Sequence, residues 1–450
     1  MLISLDILFS IISIFLLGIF AFCNKNKVSN YNLVASSILL YSAFGLCFYN
    51  IPNFNFLCLE VIVNTKIQNA IIYFVGLLSC ILIFLESDIF KKVKYEIYFL
   101  ILLLSFCASQ LSLICDNLIS IYILLELQSI ISAILISTVF KEKMSSQAGI
   151  KYIISSAIGS IIFLLGVSVI YLLNGTLDIK NIIHNVKIND IGMLLIIFGF
   201  FIKLGIFPFQ IWFADIYSGC RISVINVINI IPKISIILVI YNILQIIHIS
   251  NNLQNIIVYF LILGIIFATI RVVNQKQIKR IIAYSSAVNL GIVMLFLFII
   301  KNEEFNNKLY FLNYYIISYV IANLLLCVSC IYLFLKSDKM EIDDQISNGN
   351  LFYLTTILSL LSLMGIPPML GFFAKLKFIS SLINDGNISS YIGIFAIFLS
   401  SVLGSYYYLK LPIKWILNSE KIEKNYNHIN IAYNIAFILS LVLFFGFLAV

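Results

Sequence analysis

The 450-residue sequence predicts an all-α integral membrane protein of about 14 transmembrane helices, containing two inverted five-helix repeats and broken helices at the seventh and twelfth spans. Three observations set this class. Hydrophobic residues make up 62% of the chain and charged residues only 11%, with a mean hydropathy of +1.08; a soluble domain is nearer half apolar and a quarter charged. The apolar residues come in runs of about 20, the length that crosses a bilayer as a helix. The alternating pattern of a membrane barrel strand is absent. A water-soluble enzyme and a disordered chain are thereby excluded. So is a nucleic-acid binder, because the net charge of +8 is spread over short loops rather than gathered on one face.

In chain order the runs centre near residues 14, 40, 78, 105, 129, 161, 202, 237, 264, 289, 324, 366, 399 and 440. The first lacks a cationic leader and carries Asp6, so it is expected to stay as a helix rather than be cleaved as a signal. The basic residues test the count. Nineteen of the 28 Lys and Arg fall in loops after odd-numbered spans, five in the remaining loops and ends, and four inside spans. That bias is a positive-inside signal, and a miscounted span would have scrambled it. It predicts a multi-pass protein with both termini outside. The nine cysteines lie mostly in or beside apolar runs, without a paired metal spacing, and read as small core residues. Cys327 and Cys330 have C-x-x-C spacing but no second pair.

Within the spans, ionisable residues cost about 2.5–3.5 kcal/mol each at the bilayer centre on insertion scales, which makes them functional candidates. Glu126 lies in IYILLELQSIISAIL, with Tyr122 and Ser129 on its helical face. Lys203 lies in the seventh span, in FGFFIKLGIFPFQIW. In the eighth, Asn226, Asn229 and Lys233 recur every three or four residues as a polar stripe. Lys375 follows GIPPMLGFF in the twelfth, and Lys377 is placed to snorkel. One lysine–glutamate pair would fit a purely structural ion pair; three deep lysines against one deep carboxylate do not.

Proline interrupts two spans: Pro208 in GIFPF, and Pro367 with Pro368 in GIPPM. Proline removes a backbone donor, and in lipid this is tolerated only beside protein or a wet cavity. The two spans are five apart and so cross in opposite directions, which points to inverted repeats. The expected organisation is an N-terminal segment of three helices (1–99), a first repeat (100–250), a second inverted repeat (251–412) and a C-terminal helix (413–450). Pro232, beside Lys233, offers a third place where a break could form. In the tenth span, Ser285 and Asn289 share a face with Tyr284 and Ser286 adjacent. This face suits either a water chain or helix–helix hydrogen bonding.

These residues resemble the antiporter-like subunits of respiratory complex I, the NADH:quinone oxidoreductase. The resemblance spans about residues 100–380 and rests on LLELQS, FIKLGIFPFQIWFADIYSG, IIPKISI, IKRIIAYSSAVNLG and LSLMGIPPMLGFFAKLKF. It implies fourteen helices, two inverted five-helix repeats and a hydrated mid-membrane axis. Glu126, Lys203, Lys233 and Lys375 would transfer protons along that axis. The D-I-Y-S-G string (Asp215–Gly219), a lysine rather than a glutamate at 375, and an end soon after the last span resemble one branch of the family in particular. Two departures stand out: Gln210 and Asn289 occupy positions where the family usually has histidine, and the stretch after the D-I-Y-S-G string lacks the usual prolines.

The implied function is proton translocation coupled to electron transfer from NADH to quinone. No redox centre is expected in this chain; NAD, FMN, Fe–S clusters and quinone would belong to the wider complex. The implied partners are its other membrane and peripheral subunits and the lipid bilayer, with no nucleic acid. The implied location is a bacterial inner membrane or, alternatively, the mitochondrial inner membrane. A subunit of a multisubunit Mrp-type sodium/proton antiporter is the alternative function. A non-transporting scaffold would have no reason to keep deep charges.

Overall fold

The computed structural model describes residues 95–138, 143–182, 186–247, 249–299, 305–333, 346–347, 350–417, 419–420 and 429–446. The three spans expected near residues 14, 40 and 78 lie outside the described residues. The remaining eleven fall on thirteen helices, because the spans near 202 and 366 are each divided in two by a break. In order these are α1 (Tyr95–Ile114), α2 (Leu118–Thr138), α3 (Lys143–Asn174), α4 (Val186–Leu204), α5 (Gln210–Ser218), α6 (Ile222–Ile246) and α7 (Asn251–Val273). They continue with α8 (Ile278–Ile299), α9 (Phe305–Leu333), α10 (Asn350–Met364), α11 (Leu370–Asp385), α12 (Ile388–Leu417) and α13 (Ile429–Phe445). Among the described residues, seven helices are long and apolar enough to cross a membrane. The strand residues Ile346–Ser347 and Ser419–Glu420 form one short parallel pair between loops, outside every span.

The packing is graded from a covered centre to an apolar rim. The most apolar windows of α6 and α8 are completely buried, and that of α9 nearly so. By contrast α2, α3 and α12 present Ile123, Ile130, Ile153, Ile161, Phe395 and Phe398 to the outside. Isoleucine and phenylalanine on the rim match lipid, while Lys233, Asn229, Ser286 and Asn289 sit inside. Polar groups here are inward because only there do they find partners. Two glycine pairs draw α3 and α4 together: a Cβ on Gly166 would stand 2.6 Å from the Gly192 carbonyl oxygen, and one on Gly199 would stand 2.9 Å from that of Gly159. Small residues at such seams let two backbones touch.

The expected breaks at Pro208 and at Pro367–Pro368 separate α4 from α5 and α10 from α11. The two breaks share one hydrogen-bond pattern. The Ile206 N–H reaches back to Phe201 O, and Ile366 N–H to Leu361 O, five residues earlier in each case. Gly205 and Gly365 stand before them in left-handed backbone, φ +68° and +81°. This is the glycine-terminated turn that ends many helices. The packing partners also correspond. α1 lies against α2 and α6 as α7 lies against α8 and α12, and α3 against α4 and α5 as α9 against α10 and α11.

Two sequence readings differ from the structure. Pro232 does not break its span: α6 runs through it, and the Ser235 hydroxyl donates to the Pro232 carbonyl at 2.9 Å. Lys308, one of the five basic residues counted above in the remaining loops and ends, is a buried residue of α9 whose ammonium donates to Leu297 O at 2.8 Å. It covers the last carbonyls of α8, where a cation is favoured. α12 likewise runs through Pro412 to Leu417.

Candidate functional site

Of the four charges, Glu126 and Lys203 meet as an ion pair, while Lys233 and Lys375 are each buried on other helices. Lys203 occupies the last turn of α4, immediately before the first break, and its Nζ lies 3.1 Å from Glu126 Oε2 on α2. The lysine side chain is 8% exposed and the glutamate 28%. A buried pair of this kind is costly to split, because the remaining charge stays desolvated. The Ser129 hydroxyl donates to the Glu126 backbone carbonyl at 2.7 Å, so it braces the helix and not the carboxylate. Tyr122 stacks on Phe163 with ring centroids 6.1 Å apart.

A small cavity of about 20 Å³ opens beside Lys203, lined by Gln128, Ser129, Tyr152, Ser155, Ser156, Phe213 and Pro232. That is space for roughly one water. Gln128 Nε2 and Ser156 Oγ on this wall are buried without a protein hydrogen-bond partner; buried polar atoms of this sort are ordinarily satisfied by water. Phe213 links the cavity to the next charge: the Lys233 ammonium lies 5.0 Å from the Phe213 ring centre and 5.4 Å from that of Tyr217.

Lys233, on α6, is almost completely buried, and its hydrogen-bond partners are neutral. It donates to Asn229 Oδ1 at 3.0 Å and to Ser286 Oγ at 3.2 Å. Asn229 in turn accepts from the Tyr217 hydroxyl at 3.2 Å and donates to Tyr319 Oη at 3.0 Å. Asn226, the third member of the expected stripe, stays outside this network; neither of its amide atoms has a partner.

Lys375 stands on α11 just past the second break. Its ammonium donates to the carbonyls of Leu363 and Met364, 2.9 Å each, at the end of α10. The carbonyls freed by the break thus become the lysine's ligands, and the negative end of α10 favours a cation there. A second cavity, about 10 Å³, joins Lys375 to Asn289, Tyr315, Ser318, Tyr319 and Ser362. Asn289 accepts from the Tyr315 hydroxyl at 2.9 Å and donates to Ser285 O at 2.9 Å; the Ser285 hydroxyl turns to Ile282 O. Gln210, at the start of α5, is buried with its Nε2 unpartnered. Lys377 diverges from this row and rests its ammonium 4.7 Å over the Tyr314 ring and 4.9 Å over that of Tyr310.

Sequence reasoning therefore found the charges but missed Tyr217, Tyr315, Tyr319 and Gln128. A signal existed for two of them: Tyr315, Tyr319 and Asn323 recur every four residues in NYYIISYVIAN. Among the described residues, no three His, Cys, Asp or Glu come together as a metal site.

A family model described as "NADH:quinone oxidoreductase/Mrp antiporter, TM" matches residues 115–404, which include all four deep charges. The chain belongs to that family. Other members of the NADH:quinone oxidoreductase/Mrp antiporter family extend the likeness over nearly the whole chain. The protein named NADH-quinone oxidoreductase subunit N from Neorickettsia risticii is 28% identical over 384 residues, 81% of this chain and 82% of that protein. Its namesake from Pelagibacter ubique is 28% identical over 444 residues, 95% of this chain and 90% of that one. Among solved structures, a chain of respiratory complex I from Thermus thermophilus superposes with a TM-score of 0.80 at 18% identity, covering 99% of this chain and 97% of that one. A chain of the Mrp complex from Dietzia sp. gives 0.80 at 15% identity, covering 99% and 95%. At these identities the structural likenesses establish a shared fold.

Proposed function

We propose that this chain is a proton-translocating membrane subunit of an NADH:quinone oxidoreductase. The observation that carries this reading is the part-buried Lys203–Glu126 pair at the first helix break, together with two further buried lysines whose hydrogen-bond partners are neutral. Relatives named subunit N support the assignment to the oxidoreductase. The two matching breaks support a division into inverted repeats over 100–250 and 251–412.

The geometry supports a simple cycle. While Glu126 stays beside Lys203, the ammonium has its counter-charge and keeps its proton. When Glu126 is drawn away, the proton has reason to leave through the neighbouring cavity to Lys233, and from there to Lys375. Moving one charge across the membrane costs about 2.3 kcal/mol per 100 mV, so the cycle needs an external driver. That driver would be electron transfer from NADH to quinone in other subunits, which hold the flavin, Fe–S and quinone sites. The basic residues on the odd-numbered loops support an orientation with both ends outside, and the bacterial relatives support a bacterial inner membrane.

The test is Lys203→Ala and, separately, Glu126→Ala in the assembled complex. Quinone-linked proton pumping falls strongly while the complex persists. Undiminished pumping in either variant defeats the mechanism. The Mrp-type antiporter remains the second reading, favoured by the equal structural likeness to the Dietzia complex. Co-purification distinguishes them: peripheral NADH- and Fe–S-binding chains accompany the protein in the first case only.

A further inference from the structure

We propose, on the reading just given, that three hydroxyls, those of Ser286, Tyr319 and Tyr315, carry the proton between Lys233 and Lys375. Among the described residues, the hydrogen-bond partners of the two lysines are neutral groups. The amides beside them, Asn229 and Asn289, can orient a hydrogen bond but neither take nor give a net proton near neutral pH. A hydroxyl has one proton to give and two lone pairs to receive another, so it can pass a proton through without becoming charged.

The hydroxyls lie where such a relay needs them. Ser286 Oγ accepts directly from Lys233 Nζ at 3.2 Å. The Tyr319 hydroxyl accepts from the Asn229 amide at 3.0 Å, and Asn229 also accepts from Lys233 Nζ. Tyr319 and Tyr315 both line the cavity that contains Lys375. The Tyr315 ring is fixed by stacking on Phe378, centroids 4.8 Å apart, and Phe378 stacks on Phe296 at 3.8 Å. Its hydroxyl is thereby aimed at Asn289. Ser362 Oγ, on the same cavity wall, is buried without a partner, and at about 10 Å³ the cavity is at the lower limit for one water.

The proton balance closes. The Lys233 ammonium gives a proton to Ser286 Oγ as the Ser286 hydroxyl, which rests on Ala283 O at 2.7 Å, swings away to release its own proton to Tyr319. Tyr319 releases its hydroxyl proton, through Tyr315 or a water, to the Lys375 amine. Lys233 ends neutral and Lys375 ends as an ammonium. Each hydroxyl has exchanged one proton for another and turns back before the next passage.

The experiment measures NADH-driven proton uptake in membrane vesicles containing the whole complex, with NADH:ferricyanide activity as the measure of assembled enzyme. Tyr319→Phe keeps the ring and removes the hydroxyl. It is expected to lower proton uptake about tenfold, less than the roughly 10²–10⁴-fold of a fully lost proton-transfer group because water can bridge part of the gap. Ser286→Ala is expected to act in the same direction, and it decides the matter if Tyr319→Phe fails to assemble. Tyr315→Phe lowers uptake, and adding Asn289→His restores it, since an imidazole offers the same cavity a proton carrier. Loss without that rescue assigns Tyr315 to packing and removes it from the relay. Tyr259→Phe, at an exposed position on α7, is the unaffected control. Wild-type uptake in both Tyr319→Phe and Ser286→Ala, with uptake abolished in Lys233→Ala, overturns the relay and leaves the lysine axis standing. Wild-type uptake in Lys233→Ala and Lys375→Ala as well overturns the axis itself.

Discussion

Lys375 and Gly365 are in direct contact across the second helix break: a Cβ built on Gly365 would meet the Lys375 Cδ at 2.8 Å. The turn that frees the Leu363 and Met364 carbonyls also leaves the channel through which the lysine stem reaches them. Left-handed backbone and close approach both require glycine at this one position.

Gly365→Ala should therefore act twice. The φ of +81° costs a non-glycine residue about 1–2 kcal/mol, and the new methyl displaces Lys375 from its carbonyl ligands. The expected outcome is a lower melting temperature together with impaired proton uptake per assembled complex. A drop in stability alone would separate the turn from the lysine.

The Glu126–Lys203 pair predicts non-additivity. Lys203→Met alone leaves a partly buried carboxylate unpaired, and losing one partner of a buried pair typically costs about 3–5 kcal/mol. Combining it with Glu126→Gln removes the stranded charge. Thermal unfolding of the complex should find the double variant more stable than Lys203→Met alone; simple additivity would argue against a tight pair.

Lys308→Met tests a structural role distinct from transport. The substitution removes the donor to Leu297 O at the end of α8. Leaving that buried carbonyl short of a partner costs about 1–3 kcal/mol. Stability of the complex should fall by that order, while the proton yield per NADH in surviving complex stays at the wild-type value.

At the seam of α3 and α4, Gly166→Val places a branched side chain against the Gly192 carbonyl and the Ile196 backbone nitrogen, both already within 2.8 Å of an added Cβ. Backbone cannot yield as a flexible side chain can. Loss of assembled complex on a native gel is the expected result, whereas Gly175→Ala meets no atom within 4 Å and is limited to the backbone strain of its φ of +69°.

Much of this arrangement was legible from residues alone, for physical reasons. Helical spans show as apolar runs because lipid admits little else, and the breaks show because glycine and proline have few other uses there. Glu126 and Lys203 stood out because their charge is expensive at that depth. Other features carry no such mark. Lys308 sits in FNNKLY, whose polar start reads as loop until α8 is seen to end against it. The ligands of Lys375 are main-chain carbonyls, to which every residue contributes alike. Pro232 reads as a break because its neighbours' freed groups are invisible in sequence. Tyr315 and Tyr319 read as apolar filling, because a tyrosine ring packs as phenylalanine does and its hydroxyl matters only once a partner is located.

The neutral surroundings of Lys233 have an electrical consequence. A lysine that shares its site with a carboxylate can shed part of its response to voltage, since paired charges move as a dipole. Held by amide, hydroxyl and ring faces alone, the Lys233 nitrogen brings its whole elementary charge into the field each time it is protonated. Its occupancy should therefore follow membrane polarisation, so that back-pressure from an energised membrane is registered in the interior of the protein as well as at its mouths.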